Sequence, residues 1–133
     1  MSKVQTIGVH HIGLTVTDLS ASAGFFTDLL GWQQVGGNPE YPALFVSDGQ
    51  VMVTLWQVKS PESSASFDKD NQVGLHHLAL TVESLEKLGQ LYQMLVEAKI
   101  KIEFSPELLR QGPTTHMMCY EPSGNRIEFI VLL

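Results

Sequence analysis

The sequence predicts an α+β fold in which two paired β-α-β-β-β modules form one domain. A twelve-residue segment recurs 66 residues further along the chain. Each copy is followed by one helical pattern and three short strand patterns. The chain has only 133 residues, so each module of roughly 60 residues is too small to bury a good core alone. The two modules must therefore pack together, or against the modules of a second chain.

The repeat defines the organisation of the chain. Residues 8–19 read Gly-Val-His-His-Ile-Gly-Leu-Thr-Val-Thr-Asp-Leu, and residues 74–85 read Gly-Leu-His-His-Leu-Ala-Leu-Thr-Val-Glu-Ser-Leu. Seven of the twelve positions are identical, including a tandem pair of histidines. We interpret the segments as one structural unit used twice within a single domain, residues 1–133. Its parts are module 1 (about residues 5–58), a linker rich in Ser, Asp and Lys (59–73) and module 2 (about 74–133).

Module 1 begins with an apolar, β-branched stretch over residues 9–16, which is typical of a strand. A helical pattern follows over about residues 20–30, and Gly31 is a typical C-terminal stop. The apolar residues of this pattern lie at helical spacing: Phe25, Phe26, Leu29 and Leu30. Three strand patterns complete the module, at residues 32–35, 43–46 and 51–58.

Module 2 repeats this layout. A strand pattern over residues 75–82 precedes a helical pattern over about 84–98, in which one stripe is apolar: Leu85, Leu88, Tyr92 and Leu95. The remaining strand patterns cover residues 100–104, 115–120 and 126–132. Turn residues precede the last strand of each module, at 48–49 and 122–125.

The two faces of the first strand in each module differ in chemistry. Because strand side chains alternate, one face carries bulky apolar residues, and the other carries a histidine, a very small residue and a threonine. The second set is His11, Gly13 and Thr15 in module 1, and His77, Ala79 and Thr81 in module 2. That set does not fill a core, so it leaves space with an imidazole at its edge. His10 and His76 fall on the other face, where we expect them to pack or to form hydrogen bonds.

The last strand adds a carboxylate to the open face. Glu128 lies within an otherwise apolar strand, and an unpaired buried carboxylate is costly, so it requires a cation or a metal. Arg126, two residues away, is the alternative partner. His11, His77 and Glu128 together form a 2-His-1-carboxylate set, which suits a divalent Fe, Mn, Zn, Ni or Co ion and leaves positions open for substrate. The alternative for the histidines is a structural role in the core.

Composition excludes several partners and compartments. The net charge is −6, there are only two arginines, and no basic stripe is present, so we expect no nucleic-acid partner. No apolar run is long enough for a membrane span, and a signal peptide is not evident. The single cysteine, Cys119, cannot form an internal disulfide. These features predict a cytoplasmic protein with no membrane partner.

At three segments the sequence resembles the vicinal oxygen chelate superfamily, the group of glyoxalase I, bleomycin-resistance proteins and extradiol dioxygenases. The segments are residues 10–19, residues 74–82 and the Glu-Pro-Ser-Gly-Asn-Arg-Ile-Glu-Phe stretch at 121–129. The resemblance covers nearly the whole chain. It implies a curved, cavity-enclosing mixed sheet with helices on the outside, a homodimer, and a metal held between paired modules by His11, His77 and Glu128.

The resemblance also implies a range of activities. Glu128 lies four residues after Gly124, and the residue four positions after Gly49 is Val53. By the resemblance, this is the position at which glyoxalase I has Glu and methylmalonyl-CoA epimerase has Gln. The first expectation is a metal-dependent lyase or isomerase that binds a small oxygen-chelating substrate and stabilises an enolate or oxyanion. In it, His116 is the candidate acid/base group. The alternatives are an Fe(II)-dependent extradiol-type dioxygenase and a non-catalytic small-molecule-binding protein of the bleomycin-resistance type.

Overall fold

The computed structural model describes residues 3–132 and contains the β-α-β-β-β module twice. Module 1 consists of β1 (His11–Val16), α1 (Leu19–Gly24) with a π-helical continuation over Phe25–Leu29, β2 (Gln33–Asn38), β3 (Ala43–Ser47) and β4 (Met52–Gln57). Module 2 consists of β5 (Leu78–Thr81), α2 (Leu85–Glu97), β6 (Lys101–Leu108), β7 (Thr115–Tyr120) and β8 (Arg126–Val131). The linker contains a short 3-10 helix, Pro61–Ser63. Within the described residues, no helix combines the length and the apolar character needed to cross a membrane.

Each module forms its own four-stranded mixed sheet. The strand orders are β1-β4-β3-β2 and β5-β8-β7-β6, so the two sheets have the same topology. In each sheet the first and last strands of the module pair in parallel, and the other neighbours are antiparallel. The α+β fold class and the duplicated module are confirmed.

Several elements differ in extent from the sequence prediction. Strand β2 runs to Asn38, three residues beyond its predicted end, and β5 begins at Leu78, three residues after its predicted start, so His76 and His77 precede the strand. The first helix begins as predicted, with the Asp18 side chain accepting from the Ala21 amide at 3.0 Å, but it continues as a π-helix before Gly31 ends it. Strand β6 extends to Leu108, four residues beyond its predicted end. The extension contains Pro106, which this strand tolerates because β6 lies at the edge of its sheet.

The two modules share one apolar core. Leu14 and Val16 of β1 are buried, whereas His11, Gly13 and Thr15 between them are exposed, as the predicted alternation requires. Phe25 and Phe26 pack in the same cluster as residues of α2, β7 and β8. The apolar faces of both modules are therefore packed in this core, and the polar faces point away from it.

A buried carboxylate joins the modules at one end of this core. Glu121 is 1% exposed, and its Oε2 accepts from the Ser22 hydroxyl of α1 at 2.5 Å. Its Oε1 accepts from the Ser123 amide and from the backbone and side-chain amides of Asn125, each at 3.1 Å. The Asn125 side chain also donates to the Thr15 carbonyl at 3.2 Å. Glu121 thus fixes the turn before β8 and attaches it to module 1.

Replacing Glu121 with Gln should lower the free energy of unfolding by about 2 kcal/mol, because an amide NH₂ would then face buried donors. Urea denaturation of the purified variant measures this loss. Glu97→Gln, at an exposed position at the end of α2, is the matched control and should leave the midpoint unchanged. Equal stability of the two variants would contradict a structural role for Glu121.

Candidate functional site

Three titratable side chains meet on the open face of module 2. Glu128 of β8 lies with its Oε1 3.3 Å from Nε2 of His77, just before β5. Its Oε2 lies 2.5 Å from Nδ1 of His116, on β7. Glu128 and His116 are 8% and 7% exposed, whereas His77 remains partly accessible. The structure therefore brings together two of the predicted ligands and the candidate acid/base residue.

The sheet register explains why these groups meet. Ala79 of β5 and Met118 of β7 are the neighbours of Glu128 on either side, so all three side chains lie on one face. Ala79 is too small to cover the carboxylate, which leaves access from His77. His116 packs beside Phe104, with the ring centroids 4.9 Å apart, and this contact holds its imidazole against Glu128.

Arg126 is not the partner of Glu128. Its guanidinium forms two hydrogen bonds of 2.8 Å to Glu103 of β6, and the Tyr120 hydroxyl donates to the same carboxylate at 2.5 Å. The hydrogen bond from Arg126, opposed by burial and supported by Tyr120, lowers the pKa of Glu103 to about 2. The alternative interpretation of Glu128 as the partner of Arg126 is therefore wrong, and the contacts of Glu128 are with histidines.

His11 lies apart from this cluster. It occupies the equivalent place on β1, on the other sheet, where it is exposed. Among residues 3–132, no three His, Cys, Asp or Glu side chains are arranged to hold a metal ion within one chain. The structure thus pairs His77 with Glu128 and leaves His11 on a separate, accessible surface.

Each predicted histidine ligand is hydrogen-bonded to the histidine before it. The two Nδ1 atoms are 2.8 Å apart both in the His10–His11 pair and in the His76–His77 pair. The preceding histidines are exposed and do not pack in the core, so the hydrogen-bonding role expected for them is the one observed. In each pair, this contact occupies Nδ1 of the predicted ligand and does not involve its Nε2, which in His77 is the atom that faces Glu128.

The position in module 1 that corresponds to Glu128 is Thr54, and the sequence-based choice of Val53 is wrong. Gly13 pairs with Thr54 in β1–β4 as Ala79 pairs with Glu128 in β5–β8. Val53 is fully buried on the core face. The turn before β4 is one residue longer than the turn before β8, so counting from the turn glycine misplaced the register. Matching the apolar alternation of the two strands would have found Thr54.

Aromatic side chains surround Thr54 on the same face as His11. The Trp56 indole donates to the Thr54 hydroxyl at 2.8 Å, and its ring lies 4.7 Å from Tyr41 and 5.7 Å from Phe45 between centroids. A Cβ atom on Gly13 would lie 3.3 Å from the Thr54 hydroxyl and 3.5 Å from the indole nitrogen. The small residue predicted from the repeat therefore makes room for this group. Module 1 presents an aromatic surface where module 2 presents a carboxylate.

A cleft of about 610 Å³ lies elsewhere, between the linker and module 2. It is bordered by linker residues and by the turn that holds Ser123. None of the three predicted ligands lines it, so it is separate from the His77–Glu128 cluster.

Comparisons with solved structures find the same fold. The chain is 24% identical to a glyoxylase/bleomycin resistance protein/dioxygenase domain from Frankia sp. EAN1pec, with a TM-score of 0.80 over 96% of this chain and 93% of that one. It is 20% identical to a lactoylglutathione lyase from Agrobacterium tumefaciens, with a TM-score of 0.70 over 95% and 94%. A genomically encoded fosfomycin resistance protein from Listeria monocytogenes is 14% identical, with a TM-score of 0.74 over 97% and 96%.

The sequence matches fewer known proteins than the fold does. No curated protein matches the chain. The family model that matches is described as the Glyoxalase/Bleomycin resistance protein/Dioxygenase superfamily, and it aligns with residues 8–129. The match includes both copies of the repeat and reaches past Glu128. The chain therefore belongs to the glyoxalase/bleomycin resistance protein/dioxygenase superfamily.

Proposed function

We propose that this protein is a metal-dependent enzyme that binds a small organic substrate through neighbouring oxygens. His77 and Glu128 of one chain and His11 of a second copy would hold a divalent Fe, Mn, Zn, Ni or Co ion. The observation that carries the proposal is the approach of His77 Nε2 to Glu128 Oε1 at 3.3 Å on an accessible sheet face. The chemistry is of the lyase or isomerase type.

The donor set fits a metal ion. Two ligand atoms at about 2.1 Å from one ion, with an angle of about 90–110° between them, lie about 3.0–3.4 Å apart. The observed separation of 3.3 Å lies in this range. Imidazole and carboxylate ligands suit the divalent transition metals. His116 supports the set from behind, because its contact with Oε2 leaves Oε1 turned toward His77.

A second copy of the chain would complete the site. His11 and His77 are equivalent by the internal repeat, yet they lie on different sheets of the same chain, and the apolar faces of both sheets are already packed. A homodimer in which the β1 face of one copy meets the β5–β8 face of the other brings the two histidines together. It also covers residues of these two faces that one chain alone leaves exposed, among them His11, Thr15, Ala79 and Thr81.

The bound ion would supply Lewis acidity, which stabilises negative charge on a substrate oxygen. The chain's own residues then bind and orient the substrate. The aromatic surface of Tyr41, Phe45 and Trp56 favours an apolar or planar group beside the chelating oxygens. With two arginines in the chain and Arg126 engaged by Glu103, a heavily anionic substrate clamped by side chains is disfavoured.

Extradiol-type oxygen chemistry with Fe(II) is the second candidate. Thr54 favours this candidate. With a threonine at this place, the site has three protein ligands instead of four, and module 1 lacks the carboxylate that would act as a base in a lyase or isomerase. The aromatic surface beside it also suits a catechol-like ring.

Mixing inactive variants tests the shared site. His11→Ala and His77→Ala proteins should each retain less than about 0.1 metal per chain, and metal should no longer raise their melting temperature. In a mixed dimer of the two, one site would contain both substitutions and the other would contain neither. Metal retention should therefore return to about half of the wild-type value per chain.

Two results would contradict this arrangement. Mixed dimers without metal would indicate a site within one chain. A wild-type protein that neither retains metal nor gains stability from added divalent ions would favour the non-catalytic binding alternative.

His116→Ala should weaken binding of the metal by about 10–100-fold, because the Glu128 carboxylate would lose the contact that orients it. Titration of the metal-free protein with Zn²⁺ or Mn²⁺ measures this change. His116→Gln retains a donor and should recover part of the affinity. Unchanged affinity in His116→Ala would show that Glu128 is oriented by other contacts.

Oxygen consumption separates the two candidate reactions. Protein loaded with Fe(II) under anaerobic conditions is mixed with catechols, and O₂ uptake is followed. The lyase or isomerase proposal predicts no uptake above that of the His77→Ala protein. Uptake that requires His77 would replace the proposal with the dioxygenase candidate.

A further inference from the structure

We propose that Arg126 and His76 are positioning residues that fix the tautomer of His77. In this tautomer the proton is on Nδ1, and the lone pair of Nε2 faces Glu128. Only this form can bind a metal through Nε2, so the inference rests on the proposed function and deepens it.

The contacts that run from Arg126 through His76 to His77, called the relay below, begin at an arginine whose side chain is fixed in place. Arg126 has a side chain only 9% exposed, and its Nε and Nη2 each donate to Glu103 at 2.8 Å. Such two-point pairs fix the plane of a guanidinium as well as its position. The remaining nitrogen, Nη1, lies 3.4 Å from Nδ1 of His76.

The direction of the next hydrogen bond follows from the chemistry of arginine. A guanidinium only donates hydrogen bonds, so His76 must present the lone pair of Nδ1 to Arg126. The contact of 2.8 Å between His76 Nδ1 and His77 Nδ1 needs one donor and one acceptor. His76 Nδ1 has one lone pair, which Arg126 and His77 then share as donors, so the proton of the closer contact belongs to Nδ1 of His77.

The consequence appears on the other side of the His77 ring. A neutral imidazole with its proton on Nδ1 carries a lone pair on Nε2. That atom faces the Glu128 Oε1 at 3.3 Å, so two lone pairs point toward the same space. Such an arrangement is favourable when a cation lies between them, which is the role proposed for this space.

Module 1 provides an internal reference. His10 and His11 have the same Nδ1–Nδ1 contact at 2.8 Å. However, the neighbour of His11 on β4 is Met52. If the β5–β8 register is continued by one residue, the corresponding neighbour of His77 on β8 is Arg126. A thioether has no N–H to donate, so Met52 does not set the direction of this bond. We therefore expect His77 to hold one tautomer and His11 to populate both.

Nitrogen NMR of the metal-free protein tests the relay directly. Long-range ¹H–¹⁵N correlations of ¹⁵N-histidine-labelled protein distinguish the two neutral tautomers, at about pH 8 where imidazoles are ordinarily neutral. The wild-type spectrum should show His77 protonated on Nδ1 and His11 as a mixture. His76→Phe alters an exposed residue and should convert His77 into a mixture as well. His10→Phe, the matched control in module 1, should leave His77 unchanged.

A second variant and a second measurement complete the test. The Glu103→Gln, Arg126→Gln double variant removes the guanidinium without leaving an unpaired charge and should also release His77 into both tautomers. In both cases, the affinity for Zn²⁺ or Mn²⁺ should fall by about 2–5-fold, because only the fraction of His77 with its proton on Nδ1 can bind the metal.

The outcomes separate this inference from the proposed function. The relay is overturned if wild-type His77 is protonated on Nε2, on both nitrogens, or on either without preference. It is also overturned if His76→Phe leaves the His77 spectrum unchanged. If the tautomers behave as expected but the wild-type protein binds no metal, the relay stands and the metal site fails. If the wild-type protein binds metal but the tautomer of His77 does not change in His76→Phe, the metal site stands and the relay fails.

Discussion

The alternation of side chains along β1, β5 and β8 is the constraint on which the rest of this structure depends. Leu14, Val16 and Phe129 point into a core shared by both modules, because neither module can bury its apolar face alone. The side chains between them must then point the other way. His11 and Glu128 therefore stand on strands, and His77 directly precedes one, so sheet register is the main determinant of their positions.

Duplication has given two sheets of the same topology with different chemistry. Module 2 has Arg126 and Glu128 on its last strand, whereas module 1 has Met52 and Thr54 at the corresponding places. The first pair supplies charge and a hydrogen-bond direction, and the second supplies a thioether and a hydroxyl engaged by Trp56. The repeat therefore preserves the backbone and the histidines while the remaining polar positions have diverged.

Much of this arrangement could be predicted from the sequence. The repeat, the strand alternation and the family's segments predicted the modules, the faces of His11 and His77, and the position of Glu128 on the face opposite to the core. These are local signals, and local signals determine which face a residue takes. The sequence did not predict that Arg126 binds Glu103. The contact joins β8 to β6 past Tyr120 of β7, and a bulge shifts the register of β6 against β7, so strand alternation alone does not pair these two residues. Nor did it predict Thr54, because a turn longer by one residue moves every later side chain to the opposite face.

The Glu121 contacts have a consequence for the geometry of the two faces. The carboxylate links α1, which lies directly after β1, to the turn that begins β8, so it connects the elements that carry His11 and Glu128. A change in the angle between the modules would move one of these residues relative to the other. In a symmetric pair of chains the same displacement would occur at both sites at once. The buried carboxylate of Glu121 thus helps to keep the two modules, and with them the surfaces of β1 and β8, in a fixed relation through its contacts with Ser22 and Asn125.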